Sequence, residues 1–212
     1  MDSRQAVQAF EEALLKMDRL LVKKIIMQAS DDSRGSVIEQ LIAPALESIG
    51  QQWEEGSLAL SQLYMSGRIC EEMIPLLIQD SAVEKKEHPK MAIAVLEDFH
   101  GLGKRIVLST LLSVGYQLED FGLGVQVLDL FEKVKAQQVK ILLISVLMLP
   151  SALAIKTLIE LFRENQLDVK VIVGGAPFHF DPNLYLEVGA DGTAHSSSEL
   201  LKLIDQVVQE TT

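Results

Sequence analysis

MAIAVLEDFHGLGKRIVLSTLLSVG, residues 91–115, begins with six apolar residues and continues with apolar residues at helical spacing. An apolar run without alternation predicts a strand buried on both faces, and the change of period predicts a helix behind it. The pattern recurs along the chain. VKILLIS (139–145) and VKVIVGG (169–175) read as further buried strands. GKRIVLSTLLSVG (103–115), VLDLFEKVKAQQ (127–138) and SALAIKTLIELFREN (151–165) read as helices. QLEDFG and ADGTA are weaker strands, and SSSELLKLIDQVVQ closes the pattern as a helix with serines available as caps. The alternation predicts an open α/β sheet of about five parallel strands. Such sheets bind ligands beyond the carboxyl ends of their strands, near the point where strand order reverses.

Upstream, the period is helical throughout residues 1 to about 84. AVQAFEEALLKM, LLVKKIIMQA, VIEQLIAPALESIGQQW and LALSQLYMSGRICEEMIPLLI carry it. Four or five helices fit this span, and short connections favour antiparallel packing. Pro44 marks a kink or a restart, and Gly50 and Gly56 are expected to bracket a turn at Trp53. EKKEHPK (84–90) reads as a solvated linker that includes Lys85 and Lys86, with Pro89 disfavouring helix at His88. The expected division is a helical domain over 1–89 and an α/β domain over 90–212.

Hydrophobic residues make up 48% of the chain, enough for a substantial core. A net charge of −11 argues against nucleic acid as the main partner. The single cysteine, Cys70, excludes an internal disulfide framework and falls within an apolar rhythm, so it reads as core. The N-terminal stretch lacks the apolar core of a secretion signal. ILLISVLMLPSALAI (141–155) is too short and too interrupted to span a membrane. A soluble, cytoplasmic protein without membrane partners is expected.

Asp98 and His100 follow the first predicted strand directly, where a ligand of such a sheet would lie. Gly101 and Gly103 keep the helix start open to close approach. Neither GxGxxG nor a P-loop is present, and Ser145 stands where a receiver domain would carry an acceptor aspartate. Binding of FMN by varied phosphate loops stays possible, which would make the chain an electron carrier. A histidine can ligate a metal through one ring nitrogen while the other bonds a carboxylate. One histidine is a poor zinc site, but it suffices where a macrocycle fills the metal's equatorial positions. Metal ligation, local hydrogen bonding and acid–base catalysis are all open to His100 on these grounds.

The spacing of three short motifs resembles the cobalamin-binding domains of methionine synthase, the corrinoid methyltransferase systems and the base-off isomerases. That family carries DxHxxG, then SxL, then GG. Here Asp98, His100 and Gly103 are followed, after the 41 residues 104–144, by Ser145 and Leu147. After the 26 residues 148–173 come Gly174 and Gly175. VGGAPFHFDPNLYLEVGADGTA is similar to the family's VGGAP…GADGY segment, which adds Ala176. The helical half resembles the cap that precedes this domain in small corrinoid proteins, with a G-x-x-[WF]-x-x-G turn at Trp53. LSQLYMSGRI is closer to methyl-carrying corrinoid proteins than to cobalamin photoreceptors, since Leu63 and Tyr64 stand at the photoreceptors' Glu-His pair.

The resemblance implies a four- or five-helix cap and a flavodoxin-like (Rossmann-like) domain. It implies a cobalamin or related corrinoid, base-off and His-on, methylcobalamin being the loaded form. His100 would be the lower axial ligand to cobalt, Asp98 would hold His100, and Ser145 would add a hydroxyl near the pair or the nucleotide tail. Gly101, Leu102, Gly103, Leu147, Gly174, Gly175 and Ala176 would line the cofactor, with Trp53 at its edge. The implied partners are a donor-specific methyltransferase, an acceptor methyltransferase linked to tetrahydrofolate or a thiol, and a corrinoid reductive activase. By itself the chain would turn over little substrate. A cobalamin-dependent sensor is the alternative within the same resemblance. His179 and His195, in loops on the strand-end side, are not expected to bind metal, since one axial histidine is enough. The chain departs from the family's GDxHDIGKNIV segment at Glu97, Gly101 and Arg105.

Overall fold

The computed structural model describes residues 3–29, 37–77 and 85–211. The ends of the expected helical span, residues 1–2 and 78–84, lie outside the described residues, as does Glu84 of the expected linker. Contacts divide the chain into two compact units, Met1–Asp80 and Ser81–Thr212.

The first unit is helical: α1 (Ser3–Leu15), α2 (Arg19–Ala29), α3 (Ala43–Glu54) and α4 (Leu60–Leu77). Phe10, Leu14, Val22, Ile26, Ile42, Ile49 and Ile69 are among its buried apolar residues. A π turn at Ile38–Ile42 precedes α3, with the N–H of Ala43 donating to the carbonyl of Ile38. Pro44 has no N–H to close the ordinary bond onto Gln40, so the wider turn sits where an α-helical ladder would be broken anyway. Pro44 therefore marks a restart. Gly50, expected to flank a turn, lies inside α3, and Trp53 is on that helix's last turn. Cys70 is fully buried on α4, and burial pushes its thiol up to about 12.

The second unit is a five-stranded parallel sheet in the order β2-β1-β3-β4-β5. Its strands are β1 (Met91–Val95), β2 (Leu118–Asp120), β3 (Ile141–Ser145), β4 (Lys170–Gly174) and β5 (Gly192–Thr193). Between them run α5 (Leu102–Ser113), α6 (Val127–Gln137), α7 (Leu149–Glu164), α8 (Ala176–Phe180) and α9 (Leu184–Val188), and α10 (Ser197–Thr211) closes the unit. The apolar runs are strands because both faces are covered. Ala92, Ala94, Leu142, Ile144, Val171 and Val173 pack with α6 and α7 on one side. Met91, Ile93, Ile141, Leu143 and Ile172 pack with Leu111 of α5 and Leu200, Ile204 and Val207 of α10 on the other.

The segment expected to be a solvated linker is tied to the second unit. Lys86 donates its N–H to the carbonyl of Gly115 at 3.0 Å, and its ammonium lies 3.2 Å from Asp205 and 4.3 Å from the centre of the Tyr116 ring. Tyr116 donates its hydroxyl to the same carboxylate. His88 accepts the N–H of Gln117 at 3.0 Å through Nε2. Lys85 and Lys90 are exposed, as a linker reading expects.

Candidate functional site

The strand order reverses between β1 and β3, and the loops that follow these two strands meet. β1 and β3 pair in register through Val95 and Ser145, and β3 and β4 through Ser145 and Gly174. Asp98 thereby comes beside Leu147, and Ser145 beside Gly174, at the carboxyl end of the sheet.

The chain leaves β1 through a sharp turn. Glu97 has φ 45°, a left-handed backbone uncommon for a residue with a side chain. The Glu97 N–H donates to the carbonyl of Val125 at 3.0 Å, and the Ser151 hydroxyl donates to the carbonyl of Glu97 at 3.1 Å. Gly124 donates its N–H to the carbonyl of Asp98 at 2.7 Å. These bonds fix the turn from both sides and drive the Asp98 side chain inward, leaving the residue 3% exposed.

The buried carboxylate receives four donors. Oδ1 accepts the backbone N–H of His100 at 3.0 Å and His100 Nδ1–H at 2.5 Å. Oδ2 accepts the N–H groups of Leu147 and Met148 at 2.7 and 3.0 Å. Met148 is the N-cap residue of α7, so the carboxylate also sits at the positive end of that helix. Burial alone would push the Asp98 carboxyl up. The bonds from the His100 ring and from the Leu147, His100 and Met148 amides outweigh it and hold the carboxyl below the usual range.

An ionised carboxylate only accepts hydrogen bonds, so a ring proton of His100 belongs on Nδ1, and Nε2 is the nitrogen left without a partner among the described residues. The His100 side chain is 46% exposed, against 1% for Asp98. The result is an oriented imidazole on the rim with one nitrogen committed and the other available. Among the described residues no group of three or more His, Cys, Asp or Glu side chains could hold a metal ion. A single free imidazole nitrogen fits a metal whose other positions are filled by its own macrocycle.

The remaining expected residues fall in two groups. Leu102, Gly103, Ser145, Leu147, Gly174, Gly175 and Ala176 surround the ends of β1, β3 and β4. Trp53, 41% exposed, belongs to the helical unit. Ser145 is near the pair in sequence register but supplies none of the four donors to Asp98. Its hydroxyl faces α5: a Cβ on Gly103 would come within 2.8 Å of Ser145 Oγ. At Gly175 (φ 119°) a Cβ would meet the carbonyl oxygen of Val146 at 1.8 Å. At these two positions the missing Cβ also permits close approach of protein to protein. Gly101 has φ −89° and caps α5 as an ordinary residue would, so the freedom expected of it is unused. Sequence reasoning missed Met148, which acts only through its backbone N–H, and Ser151, six residues beyond Ser145.

A B12 binding domain family model matches residues 90–202, and a second model, also described as a B12 binding domain, matches residues 6–78. The chain belongs to the B12-binding family of corrinoid proteins. It is 30% identical to monomethylamine corrinoid protein 1 of Methanosarcina mazei, over 96% of this chain and 97% of that one. It is 31% identical to dimethylamine corrinoid protein 3 of Methanosarcina acetivorans, over 84% of this chain and 86% of that one. Among solved structures, the monomethylamine corrinoid protein of Methanosarcina barkeri superposes with a TM-score of 0.84 at 25% identity, covering 96% of this chain and 99% of the other. A cobalamin-binding protein from Desulfitobacterium hafniense shares the fold, with a TM-score of 0.54 at 22% identity over 98% and 99% of the two chains. Membership of this family implies a corrinoid as the chain's cofactor. No helix among the described residues is long and apolar enough to cross a membrane.

Proposed function

We propose that this chain carries a methyl group on the cobalt of a bound corrinoid from a donor-specific methyltransferase to an acceptor methyltransferase. The observation that carries the reading is the free Nε2 of His100 on the rim, set by the buried Asp98. A corrinoid supplies a cobalt centre that accepts and yields a methyl group, chemistry no side chain offers. The protein's own part is to bind and tune that centre. His100 would hold the cobalt through Nε2, the ring nitrogen not bonded to Asp98. Asp98 keeps the ring in the required tautomer and orientation. The amides of Leu147 and Met148 help keep Asp98 ionised, so it would hold the proton of the His100 ring on Nδ1. Gly103, Ser145, Gly174, Gly175 and Ala176 line the junction where the displaced nucleotide tail would enter.

The names of the relatives support methylamines as the donor class, and a methylamine methyltransferase as the first partner. A thiol- or tetrahydrofolate-linked methyltransferase would consume the methyl group, and a reductive activase would restore cobalt after oxidation. By itself the chain has little turnover.

Two measurements test the proposal. The protein loaded with cobalamin and poised as Co(II) should show axial nitrogen superhyperfine structure in its electron paramagnetic resonance spectrum. The splitting should change when the histidines carry ¹⁵N and vanish in His100→Ala. A splitting indifferent to histidine labelling would overturn the axial assignment. The loaded protein should also take a methyl group from monomethylamine in the presence of a monomethylamine methyltransferase. Cofactor binding without any methyl exchange, across methylamine donors and their enzymes, would overturn the carrier reading and leave a sensor.

A further inference from the structure

We propose that His179 and His195 form a second metal site, one that takes a late first-row divalent ion, Zn²⁺ first among them, and leaves part of its coordination sphere open. The proposal does not depend on cobalt ligation by His100.

The chain has four histidines, and the structure uses them differently. His88 and His100 both commit Nδ1, to the carbonyl of Pro89 at 2.7 Å and to Asp98 at 2.5 Å. His179 and His195 make no ring hydrogen bond to any described residue. They come from separate elements, His179 on α8 behind β4 and His195 behind β5, yet their ring centres are 5.7 Å apart with planes at 66°. Both side chains are exposed.

Each is presented by a fixed backbone. The His179 N–H donates to the carbonyl of Gly175 at 3.3 Å, and Gly175 backs directly onto Val146. The His195 N–H donates to Glu199 Oε2 at 2.9 Å, while the Glu199 N–H donates to Ser196 Oγ at 3.2 Å. Two solvent-facing imidazoles brought together by the fold, His179 also edge-on to the Phe180 ring, make no ring hydrogen bond to any described residue and leave ring nitrogens available to a shared ion.

The spacing of the ring centres has room for a chelate. With a Zn–N bond of about 2.0–2.1 Å, two imidazoles on one tetrahedral ion have ring centres about 5.2 Å apart, and in a linear arrangement about 6.4 Å. The observed 5.7 Å lies between these limits. Imidazole suits zinc, copper and nickel over magnesium or calcium. Among the described residues no third His, Cys, Asp or Glu completes the set. Water, or a thiolate or carboxylate from another molecule, would occupy the remaining positions. The ion would be exchangeable, unlike the metal of a closed structural site.

The test uses the full chain without corrinoid. Calorimetric titration with Zn²⁺ should find one ion per chain. Cu²⁺ as a spectroscopic probe should show two equivalent nitrogen ligands in electron paramagnetic resonance. His179→Gln and His195→Gln should each weaken binding tenfold or more, with circular dichroism and thermal midpoint unchanged, because both residues are exposed. His100→Ala should bind the ion as the unaltered chain does. The proposal fails if the unaltered chain takes up no stoichiometric ion. It also fails if the doubly substituted chain still binds one, or if the ion leaves with His100.

Discussion

The backbone N–H of Leu147 lies 2.7 Å from Asp98 Oδ2, so the loop after β3 holds the carboxylate supplied by the loop after β1. The His100 imidazole is therefore oriented by two strands and not by one. Displacing either loop would turn the His100 ring, and the register of β1 against β3 becomes part of the site.

Acid should test this relationship. The folded-state value of Asp98 is held below that of an unfolded aspartate, about 3.9. Its ionised form thus adds stability that is present above about pH 4 and lost as pH falls through the folded value. Without corrinoid, the urea midpoint of the protein should drop on acidification less steeply in Asp98→Asn than in the unaltered chain. Parallel acid limbs in the two proteins would show that the carboxylate contributes nothing of this kind.

Gly103 and Ser145 should be coupled. A methyl group on Gly103 would press on a movable hydroxyl and not on backbone. Gly103→Ala is expected to cost about 1–3 kcal/mol as overpacking, and Ser145→Ala in the same chain should recover most of it. At Gly175, where the obstacle is a carbonyl oxygen, no side-chain change should rescue an alanine. Denaturant titrations of the four Gly103/Ser145 combinations measure the coupling directly; simple additivity would contradict the contact.

Glu97 is the strained member of the site. A left-handed backbone costs a residue with a side chain about 1–2 kcal/mol, part of which glycine returns through the entropy of its unfolded chain. Glu97→Gly should raise stability by up to about 1 kcal/mol and leave the axial nitrogen signal of the loaded protein intact. A less stable variant would mean that the glutamate side chain makes a contribution larger than the strain.

The sheet was legible in the sequence because each central strand is apolar on both faces and each is followed by a change of period. The Asp98–His100 pair was legible because its two side chains are two residues apart and both are chemically distinctive. The other donors to Asp98 were not. They are main-chain amides of Leu147 and Met148, and an amide leaves no mark on residue identity. Glu97 stood out only as a departure from glycine, and the structure gives the reason for glycine there: the turn out of β1 has positive φ. The fate of Gly50 was misread because a glycine inside a helix looks, in sequence, like one that ends it. Lys86 was misread for the opposite reason, since its partners Tyr116 and Asp205 are distant along the chain.

That last contact bears on how the α/β unit can be cut out for study. A fragment starting at Lys90, where the family match begins, would discard the Lys86 ammonium and the His88 ring. It would leave the Asp205 carboxylate, normally held low by the Tyr116 hydroxyl and by Lys86, with one cation fewer, and the Gln117 amide without its acceptor. A fragment starting at Lys85 keeps both, and is the shorter chain that should behave as the intact sheet does.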